Sequence, residues 1–331
     1  MRAMIMAAGE GVRLRPLTHE LPKPMMPIVN HPVLAHLLPW LARHGFREIV
    51  INLHHLPEPI ISYFGDGSAF GVSLSYSHED QLWGTAGGVK RVADFLRRET
   101  FLVMGADDLT DMDLSLLLRL HRERKALASL AAVEVEDTSQ YGIISAHPSG
   151  RIQAFLEKPA PHETFSHLAN TQVYLFEPAL LDFIPEHTHY DFSRQVFPRL
   201  LEAAVPFYAF CLSGYWKDIG SPRDYLQTHH DALEGRIALS IPGTAHPGKI
   251  WIQEGSEIHP AARIVGPAVV GRGCRIEAGA QIGPAAAIGD NCCVPADCQL
   301  SHTLVWSGVN FCPGTVLSEA IVTPRQVVQP H

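Results

Sequence analysis

The chain has 331 residues, 46% of them hydrophobic and 18% charged, with 26 basic against 34 acidic side chains and a formal net charge of −8. That balance describes an ordinary globular protein and excludes a disordered chain or one built to coat nucleic acid, which needs a basic face. No run of 18 apolar residues occurs and the N-terminus shows no basic–apolar–small leader, so the expectation is a cytoplasmic protein without a membrane span.

Up to about residue 230, short apolar runs alternate with helical patterns. "AMIM", "EIVIN", "VSLSY" and "TFLVMG" read as strands, and "HPVLAHLLPWLARHG", "TAGGVKRVADFLRR" and "DLSLLLRLHRERK" as helices. Such alternation predicts the α/β class: a Rossmann-like, mostly parallel sheet covered by helices, with ligands bound beyond the carboxyl ends of its strands.

From Ile252 the pattern changes. Apolar residues recur every six positions, from Ile252, Ile258 and Ile264 through Val270, Ile276, Ile282, Ile288 and Val294 to Leu300. A small residue follows each of the first eight by four places, among them Cys274, Cys292 and Cys298. After a one-residue slip the period continues at Val305, Phe311 and Leu317. A hexapeptide period predicts a parallel β-helix, with the apolar residue inside and the small one at a corner. The expected divisions are a first domain over 1–232, a linker over 233–249 and a small left-handed β-helix over 250–325. The six cysteines form no C-x-x-C pair and are expected to be reduced and structural.

The first strand opens onto "AAGEGVRLRPLTHELPKP". Gly9 and Gly11 let the backbone approach a phosphate, and the N–H groups there, with Arg13, Arg15 and Lys23, can hold anionic oxygens. Lys23 and Lys158 both precede proline, which restricts their backbone to extended geometry. The loop is not a P-loop, and Leu14 stands where the dinucleotide fingerprint needs its third glycine. Taken alone it reads equally well as a strand–helix turn carrying surface arginines. Asp107, Asp108 and Asp111 follow the strand "FLVMG", and Asp218 precedes a helix opening at "SPRDY". Aspartates facing a phosphate site suit Mg2+; after a strand they also cap helices, the role expected of Asp111.

Together "GEGVRLRPLTHELPKP", "GTAGG", "GADD", "EKP", "NTQVY" and "WKDIG", in that order, resemble the nucleotidyltransferases that activate sugar 1-phosphates. The C-terminal repeat is similar to that of mannose-1-phosphate guanylyltransferases. The resemblance implies an Mg2+-dependent reaction between a nucleoside triphosphate and a sugar 1-phosphate. Gly9 and Gly11 would wrap the nucleotide phosphates, Arg13 would hold the departing pyrophosphate and Lys23 would meet phosphate at the reaction centre. Gly84 and Thr85 would pass under base and ribose, and Asp107 and Asp218 would hold Mg2+. Lys158 would bind the sugar phosphate and Glu157 the sugar hydroxyls, with Gly142 and Asn170 completing the pocket. Glu79 falls where the family reads the base. A carboxylate accepts and never donates, so it matches the N1–H and N2–H2 edge of guanine and points to GTP; a plain loop acid is the other reading.

Three departures bear on the substrate. Val12 replaces a Ser or Thr of the pattern, Ala106 a glycine before the metal-binding Asp, and Gln172 the glycine of N-x-G, which alters the expected sugar pocket. The rival functions are a uridylyltransferase on a glucose-type or amino-sugar 1-phosphate, a non-catalytic regulatory subunit that binds sugar nucleotides, and an acyltransferase using His259 or His302 of the repeats. The 19 histidines, His229 and His230 included, are otherwise expected at surfaces and helix ends. The β-helix is the surface through which a second copy would pair.

Overall fold

The computed structural model describes residues 1–160 and 162–330. They form two compact units that interleave along the chain. The first comprises Met1–Glu10, Pro22–Pro24 and Leu37–Trp216, and the second Gly11–Leu21, Met25–His36 and Lys217–His331. This differs from the expected division at 232–250. The loop segments and the helix Pro222–Glu234 count with the β-helix because their packing partners lie there.

The first unit is built on one sheet. Its strands are β1 (Arg2–Met6), β2 (Glu48–Leu53), β3 (Ser73–His78), β4 (Phe101–Gly105), β5 (Ala128–Glu134), β6 (Gly142–Ala146), β7 (Ile152–Glu157), β8 (Leu168–Phe176) and β9 (Phe207–Cys211). The order β3-β2-β1-β4 is parallel throughout, as the alternating pattern predicts. Beyond β4 the sheet becomes mixed: β8 pairs antiparallel with β4, β5 and β6, β7 antiparallel with β6, and β9 parallel with β5. β5 is still entered through a helix, Leu114–Glu123, but β6, β7 and β8 follow it through hairpins or loops, a route open to antiparallel neighbours. Buried Met4, Val103, Leu130, Tyr174, Phe176 and Phe197 share one core. Strands buried on both faces read as near-continuous apolar runs, which is why β1, β2 and β4 were visible in the sequence.

The helices of this unit include α1 (Gly84–Arg91), α2 (Ala93–Leu96) and α3 (Leu114–Glu123). The pattern predicted one helix over "TAGGVKRVADFLRR", but it breaks at Val92. Asp113 caps α3 by accepting the Ser115 N–H at 2.9 Å. Asp111, the expected cap, instead accepts the Tyr215 N–H at 2.6 Å.

In the second unit the repeat folds as predicted into stacked short strands. Ile250 pairs with Ala268 and Ala268 with Ala286, so each coil takes 18 residues, three sides of six. Ile288 pairs with Val305 and Leu300 with Leu317, steps of 17. The slip lies within Gln299–Val305, where His302 takes φ +50°, and it recurs one coil on within Val316–Val322, where Val322 pairs with Val305 and Glu319 takes φ +51°. Cys274, Cys292 and Cys298 are buried in the apolar interior beside Val270, Ile276 and Val294. The helix α4 (Pro222–Glu234) starts at Ser221, whose hydroxyl accepts the Asp224 N–H, and stops at left-handed Gly235. His229 on this helix is fully buried, its Nδ1 accepting the Val29 N–H at 3.2 Å. That corrects the surface expectation: the helix is covered on the face that carries it.

Candidate active site

Parallel strands end together, and that alignment gathers the first unit's polar groups. Met6 lies opposite both Asn52 and Gly105, and Leu53 opposite His78. The residues that follow, Ala7, Glu79 and Asp107, therefore emerge along one edge. Ala106 N–H bonds Met6 C=O at 3.1 Å, which holds the turn into Asp107. A Cβ on Gly105 would crowd the carboxylates of both Asp108 and Asp107, standing 2.9 Å from Asp107 Oδ1, so glycine leaves these side chains room to fold back. Lys23 Nζ donates to Asp107 Oδ2 at 2.6 Å, both groups largely shielded from solvent.

Glu79 is buried, 5% exposed, rather than a loop acid in solvent. Its Oε1 accepts from Asn52 Nδ2 at 2.8 Å, and the Trp83 N–H approaches Oε2 at 3.4 Å. The far end of the same amide, Asn52 Oδ1, accepts the Ala7 N–H at 2.8 Å. Gly88 makes room: a Cβ there would sit 2.7 Å from Glu79 Oε1. Asn52 was missed in the sequence, although an amide closing the apolar run "EIVIN" was its signal.

Gly84 has φ +75°, and a Cβ there would meet the Tyr190 carbonyl oxygen at 2.6 Å. Both the N–H and the hydroxyl of Thr85 donate to Asp191 Oδ1, at 3.0 and 3.1 Å. Asp191 thereby satisfies the N-terminus of α1, where a carboxylate is favoured. The Thr85 hydroxyl also accepts the Phe192 N–H at 2.9 Å, so its side chain is engaged inside the protein.

On the antiparallel side, Gly142 of β6 pairs with Glu157 of β7, and a Cβ on it would lie 2.9 Å from Glu157 Oε2. Lys158 follows with an exposed side chain and its N–H on Tyr141 C=O at 3.0 Å. Its φ of +48° is left-handed rather than the extended form expected before a proline. Lys23 likewise opens a 3-10 turn, Lys23–Met25, so neither lysine keeps that geometry. Asn170 is buried; its amide donates to the Tyr174 hydroxyl at 2.8 Å and accepts the Gln172 N–H at 3.2 Å. Burial pushes the Tyr174 phenol up, so it stays protonated. Gln172 takes φ +58° within a register shift between Asn170 and Tyr174. The backbone there has the left-handed form of the missing glycine, and the glutamine adopts it at a cost. Trp216 packs edge-on against Tyr141 and donates Nε1–H to Thr171 C=O at 3.1 Å.

The second unit holds the rest of the basic loop. Gly9, in the first unit, has open space where a side chain would go, whereas Gly11 is left-handed at φ +63°. The Thr18 hydroxyl donates to Gly11 C=O at 3.0 Å and ties the loop across its base. Arg13 Nη2 donates to Asp218 Oδ2 at 3.2 Å; the carboxylate is buried and the guanidinium half exposed. Gly220 explains the end of "WKDIG": a Cβ there would be 2.8 Å from both Arg13 Nη1 and Asp218 Oδ2. Val12 is exposed. His259 Nδ1 accepts the Ala261 N–H, and His302 rests edge-on against His230.

Residues 2–235 match the family described as Nucleotidyl transferase. The chain belongs to that family. Two relatives of this nucleotidyl transferase are a UTP–glucose-1-phosphate uridylyltransferase from Synechocystis and a mannose-1-phosphate guanylyltransferase from Mycobacterium tuberculosis. The first is 38% identical over 83% of this chain and 80% of its own length. The second is 36% identical over 83% and 76%. A solved UDP-glucose pyrophosphorylase complexed with UDP-glucose shares the fold, with TM-score 0.62 and 21% identity over 70% of this chain and 98% of that one. No helix among the described residues is long and apolar enough to cross a membrane.

Proposed function

We propose that this nucleotidyl transferase joins a nucleoside triphosphate to a sugar 1-phosphate and releases pyrophosphate, with GTP and mannose 1-phosphate or a related sugar as the favoured pair. The observation that carries this reading is the pairing of two basic loop residues with aspartates: Lys23 with Asp107, and Arg13 with Asp218. Each carboxylate holds its cation in one direction, ready for a polyanion.

The nucleophile is an oxygen of the sugar phosphate, already an anion, so no general base is required. It attacks the α-phosphorus, and pyrophosphate departs on the opposite side. Catalysis then consists of holding two polyanions in line and offsetting charge on the phosphoryl oxygens. Arg13 and Lys23 serve the triphosphate, with Gly9 and Gly11 offering backbone N–H groups. Lys158 serves the sugar phosphate, and Glu157, Gly142 and Asn170 surround the sugar. Gly84 passes close to the base through its backbone.

Among the described residues no cluster of three or more His, Cys, Asp or Glu side chains could cage an ion. Mg2+ takes one or two carboxylates and completes its shell with phosphate oxygens and water. Asp107 and Asp218 would hold it, and when bound it supplies charge neutralisation on the phosphates.

Guanine is favoured by Glu79, which can only accept. The engagement of Glu79 by Asn52, and the Synechocystis relative, favour a second reading: a uridylyltransferase on a glucose-type 1-phosphate. A panel of triphosphates against sugar 1-phosphates with Mg2+, read by pyrophosphate release, tests both. Fastest turnover with GTP and mannose 1-phosphate is expected; fastest turnover with UTP selects the second reading, and no turnover with any pair refutes the enzyme.

A further inference from the structure

The signature segment that carries Arg13 is fastened to the β-helix at several points within the second unit. Glu20, at the end of the loop, places Oε1 between two donors: the Thr323 hydroxyl at 2.8 Å and Gln326 Nε2 at 2.9 Å. Both belong to the turn of a hairpin formed by Val316–Val322 and Val327–Val328. That turn is itself locked. Thr323 N–H bonds Gln326 C=O at 2.9 Å, and the N–H groups of Arg325 and Gln326 both donate to Thr323 Oγ1. Further along the segment, Asn30 Nδ2 donates to Ile288 C=O at 2.8 Å. Buried Tyr225 donates its hydroxyl proton to Pro27 C=O at 2.7 Å and accepts from Trp306 Nε1 at 3.2 Å.

A carboxylate accepting two directed bonds from a rigid turn is a charge-assisted anchor. The segment it anchors consists of short 3-10 turns over Val12–Leu14 and Leu17–His19, with buried Leu14 and Leu17 and the Thr18–Gly11 tie at the base. Rigid elements set the geometry of a site better than free loops do.

We propose that the β-helix is a positioning part of the active site, and that Thr323 and Gln326 act through Glu20 to fix the loop that presents Arg13 to the triphosphate. This deepens the function proposed above and rests on it. Neither donor touches substrate, so the effect falls on binding and alignment of the triphosphate and spares the sugar phosphate.

The test uses the full-length chain with Glu20→Ala, Glu20→Gln, Gln326→Ala, Thr323→Val and Thr323→Ser. The readouts are steady-state kinetics with the best substrate pair of the panel, thermal unfolding, and hydrogen–deuterium exchange across residues 11–21. Glu20→Ala and Gln326→Ala should raise KM for the triphosphate about tenfold, the effect of a displacement worth roughly 1.4 kcal/mol. KM for the sugar phosphate should stay within twofold, and exchange over 11–21 should quicken. Glu20→Gln, whose amide carbonyl accepts the same two bonds, and Thr323→Ser, which keeps the hydroxyl, should recover most of the loss. Unchanged triphosphate KM or unchanged loop exchange in folded Glu20→Ala overturns the proposal. Equal losses for both substrates also overturn it, since a merely structural role predicts them. A wild-type chain inactive on the whole panel refutes the functional reading first, and this proposal with it.

Discussion

Asn52 Nδ2 lies 2.8 Å from Glu79 Oε1 while the other atom of its amide takes the Ala7 N–H, so one buried side chain joins the ends of β1, β2 and β3. Replacing it by Asp removes the donor and sets a second carboxylate against Glu79. We expect Asn52→Asp to lose roughly 1–3 kcal/mol of stability, the cost of an unpaired buried polar group. The ratio of GTP to UTP use should shift as Glu79 turns. Urea unfolding and competition between the two triphosphates would check this; an unaltered ratio would leave Glu79 without a part in base choice.

Gly220 lies against the Arg13–Asp218 pair. Gly220→Ala drives a methyl group to within 2.8 Å of both partners and must displace at least one of them. Activity should fall by about a hundredfold, in line with a misplaced charge group at a phosphoryl-transfer centre. The fold should stay intact by circular dichroism. Near-normal turnover would remove this pair from the mechanism.

At Gln172 the opposite substitution is informative. With φ at +58°, Gln172→Gly relieves a left-handed backbone and should stabilise the protein by about 1 kcal/mol, less the flexibility it restores to the unfolded chain. Chemical denaturation measures that. A change in sugar preference in the same variant would show that the glutamine side chain shapes the pocket.

Burial lowers the His229 imidazole to about 3 from its usual value near 6.5. The neutral ring is the folded form, so between those values the unfolded chain binds the extra proton and stability drops as the pH falls. From pH 7 to pH 5 the loss from this group amounts to roughly 2 kcal/mol. His229→Gln should show a shallower acid-side decline in its unfolding midpoint than the parent chain. Parallel profiles would mean that the ring is protonated inside the fold.

What the sequence displayed and what it concealed divide along physical lines. Apolar runs and the hexapeptide period report burial, which acts on every residue of an element, so β1, β2, β4 and the coils were visible. The glycines at 84, 142 and 220 sit where a Cβ would crowd its neighbours, and Gly11 takes a left-handed backbone, so each belongs to a motif visible in the sequence. Asn52, Asp191 and Glu20 did not, since each acts through a partner distant in the chain and ordinary polar residues carry no periodic mark. The antiparallel half of the sheet was hidden for a related reason: strand direction depends on connections, and the residues of β5 and β8 look alike in either sense.

The bonds from Thr323 and Gln326 to Glu20 span 303 and 306 positions. Translation runs from the N-terminus at about 5–20 residues per second, so the loop leaves the ribosome long before its two donors exist. A polypeptide stopped short of residue 323 carries every charged group of the proposed chemistry yet lacks both of them. Premature termination near the C-terminus would therefore yield a chain with an intact set of reactive side chains and a loosened grip on its nucleotide.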